Sequence, residues 1–197
     1  MKILGITGGM GMGKSTVSSI FRRYGFPVYD ADAAVHNLQK PHGKALPLIA
    51  KKIPLAIKNG EFERSYVRKL IAEKPEYICV MENIMLPLIA KERNLFLGRC
   101  RARGIAWCVL DVPLLFEKNI NRICDKTLVV SAPPSIQKWR ILQRNKVTWA
   151  QAQRFIKCQM PDIQKRKLAD IVIKTGLSRW ETFLQVKRVI DKMKAET

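Results

Sequence analysis

Lys2-Ile3-Leu4-Gly5-Ile6-Thr7-Gly8-Gly9-Met10-Gly11-Met12-Gly13-Lys14-Ser15 is the stretch whose reading decides the fold. Its first part is a short apolar run closed by glycines, the pattern of a strand buried on both faces of a sheet. Gly8 to Ser15 then satisfies G-x-x-x-x-G-K-[ST] in full. Each piece has a physical task. Gly8, Gly9, Gly11 and Gly13 leave room for successive backbone N–H groups to face phosphate oxygens. The helix that begins there adds the positive end of its dipole. Lys14 is a mobile point charge that reaches β and γ phosphates, and the Ser15 hydroxyl is a ligand for Mg²⁺. A glycine turn that merely precedes a lysine needs neither a strand before it nor a helix after it. Here both are present, so the loop predicts binding of ATP or GTP. Met12 is bulky and apolar and must point away from the phosphates.

Outward from the loop, a helix pattern runs over 13–23, with Val17, Ile20 and Phe21 on one side and Gly25 past its end. Residues 27–30 read as a second strand. From 33 to 103 the texture is helical: Ile49, Ile53 and Ile57 recur at helical spacing, Asn59-Gly60 reads as a helix stop, and 65–73 reads as another helix. Pro75 fits the first turn of a long helix reaching about 103, with Gly104 beyond it. Strand texture returns at 105–111 and 127–130. Pro133-Pro134 opens a basic helix through 144, Thr148 caps a helix through 157, 171–173 is a last strand, and Ser178 caps a terminal amphipathic helix. Five short apolar strands separated by helices predict an α/β fold, a parallel sheet covered on both faces, interrupted by an all-helical insertion.

Composition narrows the class. The chain has 197 residues, 47% hydrophobic and 26% charged, enough for a real core. Its longest apolar stretch, 84–90, is about seven residues and contains Pro87, far short of a membrane span. The apolar run at the start ends too early for a secretory leader. Cys79, Cys100, Cys108, Cys124 and Cys158 form no C-x-x-C and read as thiols of a reducing cytoplasm. His36 and His42 are too few for a zinc site. The net charge of +20 predicts attraction to anions and says nothing about fold.

Three further features address what the phosphate goes to. Asp30-Ala31-Asp32 ends the second strand, and a carboxylate there can take a proton from an attacking hydroxyl, or Asp32 can cap the helix that follows. Asp111 ends an apolar strand, the position that holds Mg²⁺ through water in phosphate-loop enzymes, although strand-end Asp residues are common. Arg140 and Arg144 lie at i, i+4 on one helix face, either as a polyphosphate clamp or as a solvated basic face.

Taken together, these residues resemble the dephospho-CoA kinase family. The match is spread over the whole chain: Thr7-Gly8-Gly9, Gly13-Lys14-Ser15-Thr16, Asp30-Ala31-Asp32, Asn59-Gly60, Pro87-Leu88-Ile89, Pro113-Leu114-Leu115-Phe116-Glu117, the helix from Gln137 to Arg144, Gln159, and Ala169-Asp170-Ile171-Val172-Ile173. The resemblance implies a three-layer αβα phosphate-loop fold with a five-stranded parallel sheet. The nucleotide core is then 1–35 and 104–197 with a lid at about 134–165, and 36–103 is a helical substrate-binding insertion. It implies transfer of the ATP γ-phosphate to the ribose 3′-hydroxyl of dephospho-CoA with Mg²⁺ in the cytoplasm. Asp32 is then the general base, and Lys14 and Arg140 stabilise the transferring group. Gly8, Gly9, Gly11, Gly13, Lys14, Ser15, Thr16, Arg140 and Arg144 bind nucleotide, and Ser15 and Asp111 serve the metal. The chain departs from the family in Leu86-Pro87, where His-Pro is usual, in Lys174-Thr175-Gly176, where Asn is common near the nucleotide base, and in Met12, where a small residue is usual.

Two rivals stand beside this reading: another small-molecule or nucleotide kinase, and an ATP-driven nucleic-acid-binding protein with the charge as its footprint. The second has no aromatic-basic stacking tract and no zinc-finger pattern, so no specific nucleic acid and no membrane partner is expected. Residues 134–197 carry 15 basic and 5 acidic side chains, half of the whole excess. A basic lid steers polyanionic substrates inward.

Overall fold

β1 (Lys2–Thr7) runs straight into the glycine loop, and α1 (Lys14–Arg23) leaves it. In the computed structural model, which describes residues 1–143 and 148–196, the chain continues through β2 (Val28–Asp30), α2 (Ala31–Leu38) and α3 (Leu46–Lys52). A hairpin of β3 (Ile57–Lys58) and β4 (Glu61–Phe62) leads to α4 (Arg64–Glu73) and α5 (Tyr77–Ala102). β5 (Trp107–Asp111), β6 (Lys126–Ser131), α6 (Pro134–Gln143), α7 (Trp149–Lys157), α8 (Asp162–Leu168), β7 (Ile171–Lys174) and α9 (Arg179–Ala195) follow. The chain divides into two compact units, Met1–Tyr29 with Cys100–Thr197, and Asp30–Arg99.

The first unit is built on a five-stranded parallel sheet of order β2-β5-β1-β6-β7. β1 pairs in parallel with β5 on one side and β6 on the other, in a register that sets Ile6 against Asp111 and Thr7 against Val129. Ligands of open α/β sheets gather at the carboxyl ends of strands where the order reverses, and the glycine loop leaves β1 at that place. On one face, Val17 and Phe21 of α1 and Val186 and Ile190 of α9 pack with Leu4, Ile6, Val109 and Leu128. Fully burying such a side chain stabilises the fold by about 1.5–3 kcal/mol. The five strands stand where the apolar runs place them. α8 has no counterpart in the sequence reading, because the residue it buries is a charge, Lys165, and no apolar periodicity marks it.

The second unit has its own core of Leu38, Ala45, Ile49, Ile53, Val67 and Met85. The expectation of an all-helical insertion is corrected here. Asn59-Gly60 does not stop a helix; it turns a hairpin in which Ile57 pairs with Phe62. Both turn residues have positive φ, 52° and 78°, which a two-residue type I′ turn requires and which Asn and Gly tolerate. Ile57 therefore leaves the helical series of Ile49 and Ile53. α5 runs unbroken through Pro87, which has no N–H to return to the preceding turn. Gly104 follows α5 with φ 64°.

Candidate active site

The loop is shaped by contacts that only glycine allows. A Cβ on Gly8 would lie 2.7 Å from the Val130 carbonyl oxygen of the neighbouring strand. Gly13, at φ 94°, is the left-handed N-cap of α1. The first turn of α1 has no acidic residue and no side-chain cap, so the positive end of its dipole is left to an incoming anion. Met12 turns into the apolar core beside Leu128 and Val130, where its sulfur accepts the Ala132 N–H at 3.2 Å. The side chain is buried there.

Lys14 Nζ donates to Asp111 Oδ1 at 2.5 Å, and Ser18 Oγ donates to Asp111 Oδ2 at 2.7 Å. Asp111 is 2% exposed, so the loop lysine is held by a buried carboxylate at the end of β5. The sequence reading offers Asp111 to a metal only; the structure makes it also the counter-ion of Lys14. Ser18 lies four residues after Lys14 on the same helix face, and that spacing is the signal in the sequence for its place beside Asp111. Ser15 and Thr16 are exposed at the start of α1.

α6 overhangs the loop. Gln137 Nε2 donates to the Met10 carbonyl at 2.8 Å. Arg140 donates through Nη1 to Thr175 Oγ1 at 2.9 Å and through Nη2 to the Thr175 carbonyl at 2.5 Å. Its Nη1 would stand 3.4 Å from a Cβ on Gly13, which puts the guanidinium at the loop. Arg144 lies outside the described residues. Beside the loop opens a cleft of about 780 Å³, lined by Gly9, Met12, Gln137, Gln159, Lys174 and Leu177 among others.

Under this site lies a buried ion pair that the sequence reading did not propose. Lys165 Nζ stands 2.9 Å from Glu117 Oε1 and donates to the Pro113 carbonyl at 3.0 Å; the same carbonyl accepts Thr7 Oγ1 at 2.8 Å. The Met160 N–H donates to Glu117 Oε1 at 2.9 Å. Burial pushes the Glu117 carboxyl up, but the bonds from Lys165 and from backbone N–H groups outweigh it and hold it below the usual carboxylate range. The pair ties α8 and the turn before it to the segment that follows Asp111.

In the second unit, Asp30 and not Asp32 caps α2, its Oδ1 accepting the Ala33 N–H at 3.0 Å. Asp32, the second residue of α2, lines a cavity of about 360 Å³ with Phe62, Arg64, Arg68 and Met81. Arg64 Nη2 donates to His36 Nδ1 at 2.6 Å; a guanidinium only donates, so this imidazole nitrogen is the acceptor.

Among the described residues no group of three or more His, Cys, Asp or Glu is placed to hold a metal ion. Ser15 and Asp111 offer hard oxygen donors. A carboxylate has about four lone-pair sites, so Asp111 keeps acceptor capacity beyond Lys14 and Ser18. That donor set fits Mg²⁺ completed by water and substrate phosphates rather than by a protein cage.

The family model described as dephospho-CoA kinase matches residues 2–178, nearly the whole chain and every element of the site above. This chain belongs to the dephospho-CoA kinase family. A dephospho-CoA kinase of Gluconobacter oxydans is 44% identical over 98% of this chain and 98% of its own length. One of Brucella melitensis is 38% identical over 96% of this chain and 94% of its own. A solved structure from Thermus thermophilus superposes with a TM-score of 0.85 at 28% identity, covering 97% of this chain and 96% of that one. The dephospho-CoA kinase of Campylobacter jejuni shares the fold with a TM-score of 0.74 at 24% identity, each chain covered in full. Where the family resemblance leads to a histidine before Pro87, this member has Leu86, 41% exposed. Where it leads to Asn, Lys174 lines the cleft beside the loop and Thr175 receives Arg140.

Proposed function

We propose that the chain transfers the γ-phosphate of ATP to the ribose 3′-hydroxyl of dephospho-CoA, giving coenzyme A and ADP. The observation that carries this is the site of a dephospho-CoA kinase family member in which Lys14, tied to Asp111, and Arg140, seated beside Gly13, converge on one glycine loop. The loop N–H groups and Lys14 hold the β and γ phosphates. The acceptor oxygen bonds to the γ-phosphorus, the bond to the β,γ-bridging oxygen breaks, and ADP leaves. The proton of the attacking hydroxyl passes to the Asp32 carboxylate. Lys14 and Arg140 neutralise charge on the transferring group, in a site where fixed charges act without reorganising. Mg²⁺, when bound by Ser15 and, through water, by Asp111, supplies further neutralisation of the phosphates.

The unit Asp30–Arg99 is assigned to the acceptor, because the cavity beside Asp32 is lined by Arg64 and Arg68 together with apolar side chains, a combination suited to a phosphorylated nucleoside. The segment from about 134 to 165, which includes α6 and α7, is assigned as the lid. The reaction is placed in the cytoplasm, which suits five cysteines that make no disulfide among the described residues. No helix among those residues is long and apolar enough to cross a membrane.

The test is ADP release with Mg²⁺ and ATP, comparing dephospho-CoA with nucleosides, pantothenate and shikimate. Turnover is expected with dephospho-CoA, and Asp32→Ala is expected to lower kcat by about 10²–10⁴, the range of a general base. No turnover with both substrates overturns the activity, and a wild-type kcat for Asp32→Ala overturns the assignment of the base.

A further inference from the structure

We propose that Thr175 is a positioning residue for Arg140, fixing its guanidinium over the phosphate loop. The inference rests on the reading of Arg140 given above. An arginine side chain is long and rotamer-rich, so a group that neutralises a transferring phosphoryl needs something to hold its plane. Thr175 meets both Nη atoms: Nη1 donates to its hydroxyl at 2.9 Å and Nη2 to its carbonyl at 2.5 Å. The direction of the hydroxyl is determined. It donates its own proton to the Met12 carbonyl at 2.6 Å, which leaves oxygen lone pairs for the arginine. One hydroxyl therefore joins Arg140 to the backbone of the loop itself.

Thr175 is in turn immobilised. It is 3% exposed, its N–H donates to the Ser131 carbonyl at 2.8 Å, and its β-branch restricts χ1. The next residue, Gly176, lies so close to Pro133 that a Cβ there would stand 2.4 Å from Pro133 Cδ. The turn after β7 is thus wedged between the end of β6 and the loop, and it offers Arg140 a rigid seat. The family resemblance makes the Lys174-Thr175-Gly176 tract a change near the nucleotide base; its geometry gives Thr175 a task toward the phosphates.

The experiment is a double-mutant cycle read as kcat and as KM for both substrates, with Thr175→Val and Thr175→Ser made in the wild type and in Arg140→Ala. Valine keeps the shape and removes the hydroxyl. Thr175→Val is expected to lower kcat about tenfold, the worth of one charge-assisted hydrogen bond, with KM for dephospho-CoA within about twofold. Thr175→Ser is expected to recover most of the loss. In Arg140→Ala, Thr175→Val is expected to change kcat by less than about twofold, because the effect runs through the missing guanidinium. Thermal melts accompany each variant, and Thr175→Ala makes the same comparison if the valine form does not fold. Wild-type kcat for Thr175→Val overturns the proposal. So does an equal loss in both backgrounds, which would mean that the hydroxyl acts only through the Met12 carbonyl. Wild-type kcat for Arg140→Ala overturns the reading of Arg140 beneath it, and that result separates the two failures.

Discussion

Lys165→Met probes the buried pair under the site. The Lys165 side chain is 1% exposed and its partner Glu117 17%, and Glu117 Oε2 has no hydrogen-bond partner even with the lysine in place. Methionine fills nearly the same space but leaves a carboxylate facing apolar atoms. Removing one member of a buried pair costs about 3–5 kcal/mol. The lower end is expected here, since the Met160 N–H stays on Glu117 and Thr7 stays on the Pro113 carbonyl. About 3 kcal/mol corresponds to a fall of about 6–12 °C in Tm for a chain of this size. The pH dependence identifies the cause. In the wild type the Glu117 carboxyl sits below its ordinary value, so its stabilisation is present above the unfolded pKa and is lost as pH falls through the folded one. Without Lys165, burial acts against weaker opposition and the carboxyl rises above its unfolded value. It then destabilises at neutral pH and ceases to do so once protonated. Urea unfolding followed by circular dichroism should therefore show a deficit that is largest at about pH 7 and shrinks toward about pH 4. A deficit below about 1 kcal/mol at neutral pH, or one equal at both pH values, refutes the reasoning.

Gly8→Ala forces the loop away from the Val130 carbonyl; it should cost about 1–3 kcal/mol of stability and raise KM for ATP, measured by melts and steady-state kinetics. Cys79 and Cys158 are exposed and should react rapidly with a disulfide reagent at neutral pH. Cys108, pushed up to about 12 by burial and then by Cys100, should react only on unfolding, as should buried Cys100; mass spectrometry of the labelled protein reads both.

What was legible in the sequence was local. Gly8 to Ser15 is a contiguous loop whose chemistry depends on backbone access, and the five strands are continuous apolar runs because a parallel sheet is buried on both faces. Ser178 and Thr148 could be named as caps because a cap bonds within its own first turn. The hairpin at Asn59-Gly60 was also written locally, but the spacing of Ile49, Ile53 and Ile57 imitated one longer helix, and periodicity prevailed over turn chemistry. α8 was invisible because an ion pair, not an apolar stripe, holds it.

The sequence by itself thus determined the phosphate loop, the α/β class and the family. Tertiary structure alone decided how the loop's charges are held: Lys14 on Asp111, 97 residues away, and Arg140 on Thr175, 35 residues away. Composition and spacing report what a residue can donate or accept. Which partner it meets depends on strand order and register, and these bring the end of β5 level with the end of β1, and the turn after β7 against the loop.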